Sequence, residues 1–388
     1  MRQRPNFYIW VWIAFLLGLI ACGVFGFYRI QLSGLEEARA IAWGLLIPGY
    51  VFFVPSAGAT LVNSIYTVFR VPQFKPIMKR AVCLSLLLCI PALLFIIFGS
   101  LAKWDQFYNI YLFTHWTSRI GWNGILVVGL VLALIIELIV VLREETMPRW
   151  APLVAGITAL AAVVTVHTNL GAIFGAVTAK PLWSSHLLPI QFVVSAMLAG
   201  TVLTVLFISI SYLVRRGSIP GNVKELFSRD YGFIAIVLII INWVLIAAKW
   251  IPLAFNPEEF QHLKVLLAGS LSPTFWGLEV MLGTIIPLII LFYRRTRQSM
   301  GWLLVASALI TVGLFVGKYD LIIGGQSMGG LFPAAFLPYF PSGAEFLFLA
   351  GGIGVLLLLY TLAELLLPLE PGERPVWFIF GKRGALLK

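Results

Sequence analysis

Apolar runs long enough to cross a hydrocarbon core of about 30 Å recur along the whole chain, separated by short polar segments. Windows of about 20 residues predict ten helices, at about 8–28, 41–69, 81–102, 121–142, 150–178, 187–214, 231–253, 272–293, 301–317 and 343–367. The expected fold is all-α: a polytopic membrane protein with ten transmembrane helices, forming a single integral membrane domain over residues 1–388. The first run follows Arg2 and Arg4 and so imitates a signal peptide. It is too long for one, and Tyr28-Arg29-Ile30 follows it instead of a small-residue cleavage site, so it reads as the first span.

Composition and charge sharpen this picture. Of 388 residues, 60% are hydrophobic and 11% charged, against about 25% charged in a soluble domain, which excludes an ordinary water-soluble fold. The net charge of +11 is carried by short connectors between apolar runs and builds no basic domain, so the expected partner is the lipid bilayer and not nucleic acid. Taken alternately, the connectors put 19 Lys and Arg on one side and 8 on the other. The positive-inside rule then places both termini in the cytoplasm, with the chain in the cell (cytoplasmic) membrane. With Lys249 counted in the outer connector at about 249–271, all 27 basic residues are expected outside the spans.

Connectors on the basic side are short. Those on the opposite side are longer and rich in Trp, Tyr, Phe, Pro and Gly, as in the stretch from Gly324 through Tyr339-Phe340-Pro341. Such residues form either an interfacial belt or a docking face for an extracytoplasmic partner. Cys22, Cys83 and Cys89 all lie in apolar runs without metal-ligand spacing, and three cysteines cannot supply the four thiolates of an iron-sulfur cluster. His115, His186 and His262 fall in outer connectors, leaving His167 as the one histidine inside a span. No haem or iron-sulfur cluster held by this chain, and no metal site, is therefore expected. No P-loop, dinucleotide fingerprint, HExxH or CxxC occurs.

Polar groups within a membrane are costly and tend to face a bundle interior or a cavity. His167 opens the run His167-Thr168-Asn169-Leu170-Gly171, and Gly171 and Gly175 share its helix face. That small-residue strip admits another helix or a flat ring. The imidazole reads either as bonded to a neighbouring helix or as a proton-exchanging partner of a quinone carbonyl, since it titrates near neutral pH. Ser56, Thr60, Asn63 and Thr67 form a polar stripe on the second helix, either glue between helices or a hydrated proton route. Glu279, about a third of the way in from the outer face, needs a partner. Glu137 and Glu364 lie near inner helix ends, where water can reach them. All three are candidates for proton transfer.

Taken in order, Val166-His167-Thr168-Asn169-Leu170-Gly171, the stretch from Trp183 through Leu188-Pro189 and Ser195-Ala196 to Gly200, Phe275-Trp276-Gly277-Leu278-Glu279, and Tyr339-Phe340-Pro341-Ser342 through Glu345 carry a resemblance. The chain resembles the NrfD/polysulfide-reductase membrane subunits. Within them it is most similar to the ten-span branch found in the Dsr/Hme menaquinol-oxidising complexes of sulfate reducers and in the periplasm-facing hydrogenase. The resemblance implies two four-helix bundles, here helices two to five and six to nine, with one further helix at each end. It implies a menaquinone site near the outer face of the first bundle, which His167, Thr168, Asn169 and Gly171 would form. It also implies an extracytoplasmic ferredoxin-like iron-sulfur subunit, with further membrane and cytochrome subunits alongside. Near the outer end of the ninth helix, relatives often carry an arginine where this chain has Lys318-Tyr319-Asp320. A bidentate role of that arginine would be lost with lysine.

The leading expectation is thus a quinone-binding subunit of a respiratory oxidoreductase, not active alone. It would pass electrons between menaquinol and an iron-sulfur partner, with proton translocation left open. A proton-coupled secondary transporter is the rival from another class, although no paired inverted halves are evident. A purely structural anchor for redox partners is the third.

Overall fold

Inside hydrocarbon every backbone donor and acceptor must be satisfied within the protein, which helices achieve locally. The computed structural model describes residues 7–33, 43–56, 58, 62, 65–101, 103–326 and 339–370, and these contain helices and no strand. Ten segments follow the apolar runs: α1 (Phe7–Ser33), α2 (Leu46–Ser56), α3 (Lys75–Ser100), α4 (Arg119–Leu142), α5 (Ala151–Gly175), α6 (Leu188–Arg216), α7 (Gly232–Phe255), α8 (Thr274–Phe292), α9 (Met300–Gln326) and α10 (Gly343–Leu366). Nine of the described helices are long and apolar enough to cross a membrane. The second expected span is represented by α2, with residues 62 and 65–67 also helical. Its remainder, with Thr60 and Asn63 of the polar stripe, lies outside the described residues.

Two boundaries differ in ways that matter. α3 begins at Lys75, six residues before the apolar run, because Pro76 is tolerated in a first helical turn and the charged residues after it continue the helix. α9 runs on to Gln326, well past the expected end at 317. A hydropathy window stops at Lys318-Tyr319-Asp320, whereas charges that face the protein interior do not end a helix. The expectation that no Lys or Arg lies in a span is therefore corrected: Arg80, Lys249 and Lys318 are helical and buried. Two of these leave the poorly charged side and one the basic side, so the charge asymmetry between the two sides widens.

α2, α3, α4 and α5 pack around one another, as do α6, α7, α8 and α9, and the two groups meet chiefly where α5 packs on α6, and also where α2 touches α6 and α9. α1 and α10 pair with each other, and α10 lies along α3. Glycines set the closest crossings. A Cβ on Gly23 would stand 2.6 Å from the Cα of Gly351, so α1 and α10 touch backbone to backbone. Gly283 and Gly313 meet in the same way between α8 and α9. Small residues at such crossings are how helices gain packing energy when lipid offers no hydrophobic drive.

α10 starts with a capping box: the Ser342 hydroxyl accepts from the Glu345 N–H at 3.3 Å, and the Glu345 carboxylate accepts from the Ser342 N–H at 2.8 Å. The same carboxylate accepts from the Leu45 N–H at 3.2 Å and the Tyr339 hydroxyl at 2.8 Å, so it also pins the start of α2.

Candidate functional site

The start of α4 and the end of α5, with the segment after α5, enclose a cleft of about 220 Å³ lined by Trp43, Arg119, Phe174, Val177 and Trp183 among others. Its aromatic wall is rigid. Trp43 stacks on Trp183 with ring centroids 5.8 Å apart, Phe174 meets both edge-on, and Trp183 Nε1 donates to the Leu321 carbonyl at 2.7 Å. Gly325 of α9 leaves room for the Trp183 indole where a Cβ would collide with it. Gln326 holds Trp43 through its backbone, accepting from the Trp43 N–H at 2.9 Å and donating to its carbonyl at 3.0 Å.

The four residues assigned to a quinone contact fall in different surroundings. His167 is fully buried, with no exposed surface. It lies seven residues before Phe174, which places it about 10 Å deeper on nearly the same face of α5. Thr168 is exposed on the outer face of α5. Asn169 is half-buried, and its side-chain amide donates to the Arg119 carbonyl at 3.1 Å, tying α5 to the start of α4 beside the cleft. At Gly171 a Cβ would stand 2.6 Å from the Pro189 Cα and 2.7 Å from the Leu188 carbonyl oxygen. The glycine strip thus receives the start of α6, the helix alternative of the two that its sequence allows.

A second polar centre lies among α6–α9. Glu279 sits in the π-helical half of α8, Thr274–Ile285, where a wider turn re-aims side chains. Glu279 lines a cavity of about 40 Å³ with Gln191, Ser195, Asn242, Lys249, Lys318 and Asp320. Lys318 Nζ donates to the Ser195 hydroxyl at 2.8 Å and stands 3.9 Å from the Phe192 ring centroid. Asp320 accepts from the Thr274 hydroxyl at 2.7 Å. A Cβ on Gly317 would lie 2.6 Å from Glu279 Oε1, so Gly317 makes room for the carboxylate. Polar atoms of Gln191, Asn242, Trp250 and Asp320 around this cavity are buried without a hydrogen-bond partner among the described residues.

The remaining carboxylates are closed off from water. Glu137 has no exposed surface, and the Thr67 hydroxyl is the polar group beside it. Glu364 is bound by Arg80, whose Nε donates to it at 2.7 Å, and by the Tyr360 hydroxyl at 3.1 Å. Arg80 Nη2 also donates to Glu370 at 2.9 Å, and the guanidinium carbon lies 4.3 Å from the Tyr212 ring centroid. The expectation that Glu137 and Glu364 meet interfacial water is corrected on both counts.

Sequence reasoning missed Arg80, Lys249, Lys318 and Asp320 as interior charges. The signal was faint. Each sits within about a turn of an apolar run's edge, where a charge is ordinarily a boundary mark. Only for Lys318 and Asp320 did a further hint exist, in an i, i+2 pair of opposite charges followed by the apolar Leu321-Ile322-Ile323.

The fold and these centres define a class: an integral membrane protein made of helices, with ionisable groups buried between them. The chain belongs to the polysulphide reductase NrfD family, which it matches over residues 34–329. It is 27% identical to the Hdr-like menaquinol oxidoreductase integral membrane subunit of Archaeoglobus fulgidus, over 94% of this chain and 95% of that protein. It is 24% identical to a selenate reductase subunit of Mesobacillus selenatarsenatis, over 93% of this chain and 94% of that protein.

Proposed function

We propose that the chain is the quinone-interacting membrane subunit of a multi-subunit respiratory oxidoreductase in the cytoplasmic membrane, with both termini cytoplasmic. Menaquinol gives up two electrons and two protons, and the electrons pass to iron-sulfur clusters of a ferredoxin-like partner on the extracytoplasmic side. The observation that carries this reading is the end-to-end likeness to a menaquinol oxidoreductase membrane subunit, in a chain with an aromatic-walled cleft at the outer ends of α4 and α5. Apolar walls with a few convergent polar groups suit a quinone ring. Here Trp43, Phe174 and Trp183 supply the walls and Arg119 a donor toward a carbonyl oxygen.

In this reading the headgroup enters at the cleft, with Thr168 and Asn169 on the adjoining face of α5, and Gly171 fixes the helix spacing. His167, buried about 10 Å further along α5, accepts a quinol proton when the headgroup passes inward from the cleft. Replacing His167 by Ala should abolish quinol-dependent reduction of the partner while the complex still assembles. Loss of copurifying quinone on Arg119→Ala would support the cleft. Normal turnover by His167→Ala would defeat the histidine's role, and unchanged quinone content in both variants would defeat the site.

Proton movement is assigned to the second centre. The 40 Å³ cavity has space for about three waters, and the unpartnered polar atoms around it are of the kind that ordered water satisfies. Glu279, Lys318, Asp320 and Lys249 then carry a proton between waters. Glu137 beside Thr67 is proposed as an inner station, while Glu364, held by Arg80, serves structure. A proton-coupled transporter would use the same centre without a quinone. Substrate accumulation by the chain alone in proteoliposomes would favour it, and absence of uptake together with quinol-driven acidification in the assembled complex would favour the redox reading.

A further inference from the structure

At the basic end of the helices, three arginines from two separate elements converge on one cleft. It measures about 450 Å³ and is lined by Glu225, Ser228, Arg229, Arg294, Arg297 and Gln298. Arg294 and Arg297 lie three residues apart on the short helix Arg294–Gln298 and so project from one side of it. That helix is anchored, because the Thr296 hydroxyl donates to the Ile290 and Tyr293 carbonyls at 2.5 and 2.7 Å. Arg297 is seated as well: its Cδ and Cγ would lie 3.0 and 3.1 Å from a Cβ on Gly232, a position that has none.

The positive charge here is not spent on the protein. Neither Arg294 nor Arg297 forms an ion pair with any described residue. Arg229 approaches Glu225 and Asp230 only at 4.0 Å, and the Glu225 pair is largely exposed, the kind of contact that contributes little. Glu225 is the one carboxylate in the lining, so the cleft keeps two net positive charges. Exposed apolar side chains adjoin its elements along the chain: Phe233 follows Gly232, on which Arg297 packs, and Ile289, Phe292 and Tyr293 lead into Arg294.

We propose that this cleft binds the phosphate of an anionic phospholipid. Arginine forks pair with phosphate oxygens, and basic pockets at the ends of membrane helices are suited to acidic headgroups. The adjoining Phe233, Ile289 and Phe292 would lie along the acyl chains. A free phosphate anion has the same chemistry at its charged end but would leave that apolar border unused.

Native mass spectrometry of the full-length protein in mild detergent tests this, with phosphatidylglycerol or phosphatidylcholine added. Phosphatidylglycerol should be retained selectively. The Arg294→Gln/Arg297→Gln double variant should lose that selectivity, by roughly fivefold for each arginine removed. The Arg295→Gln variant, which neutralises a neighbour outside the lining, should keep it. Equal retention of both lipids by the parent protein, or an equal loss in Arg295→Gln, would overturn the site as a built pocket. Displacement of the lipid by millimolar inorganic phosphate would overturn the lipid assignment in favour of a free anion.

Discussion

Arg80 Nε lies 2.7 Å from Glu364 Oε1, and the arginine has no exposed surface. Its helix, α3, belongs to the first four-helix group, whereas Glu364 belongs to the flanking α10 and Tyr212, stacked on the guanidinium, belongs to α6. One guanidinium thus ties three parts of the fold together. Breaking a buried pair by removing one partner strands the other, at a cost of about 3–5 kcal/mol. Arg80→Ala should lower the thermal midpoint of the purified protein markedly, and Arg80→Lys should recover little, because an ammonium cannot serve Glu364 and Glu370 in the same fork geometry. A melting curve like that of the parent would refute this account.

The crossing of α5 on α6 depends on Gly171. A valine there has no space between Pro189 and Leu188, and overpacking of this kind costs about 1–3 kcal/mol. Gly171→Val should reduce the yield of folded protein in detergent, measured by size-exclusion chromatography, before any effect on quinone binding is considered. If Gly171→Val folds normally and loses quinone alone, the glycine faces a ligand after all.

Lys318 is the cation that holds Ser195 and stands over Phe192 in the second centre. Lys318→Met keeps the length of the stem and removes the charge. Under the proposed function, quinol oxidation by the assembled complex should continue near the parent rate while proton release per electron pair falls to that of the quinol alone. Retained proton stoichiometry, followed with a pH indicator outside vesicles, would remove this centre from the pathway.

Ser342 and Glu345 close the start of α10 reciprocally, but their burdens differ. Ser342→Ala removes one cap, worth about 1 kcal/mol. Glu345→Ala strips the Ser342 N–H and the Tyr339 hydroxyl of their acceptor and loosens the hold on Leu45, and should destabilise more. Ranking the two variants by thermal midpoint checks the order, which a cap acting only on its own helix would not produce.

Much of the architecture was legible in the chain, because the cost of an unsatisfied backbone in lipid forces each long apolar run into a helix. Helices four to eight and ten lie within a few residues of the positions their runs predict, and the resemblance in the His167, Trp183 and Glu279 segments reached the family directly. What the linear pattern lacked was direction. It marked Glu364 as a carboxylate within reach of interfacial water and Lys249 and Lys318 as loop residues, because hydropathy weighs a charge alike whether it faces water, lipid or another charge. Only the packing of α3 against α10 supplied Arg80 as the partner of Glu364, and only the crossing of α6, α8 and α9 gathered Ser195, Glu279, Lys318 and Asp320 around one cavity. Residues a hundred or more positions apart meet there through helix rotation and crossing, which no local period encodes.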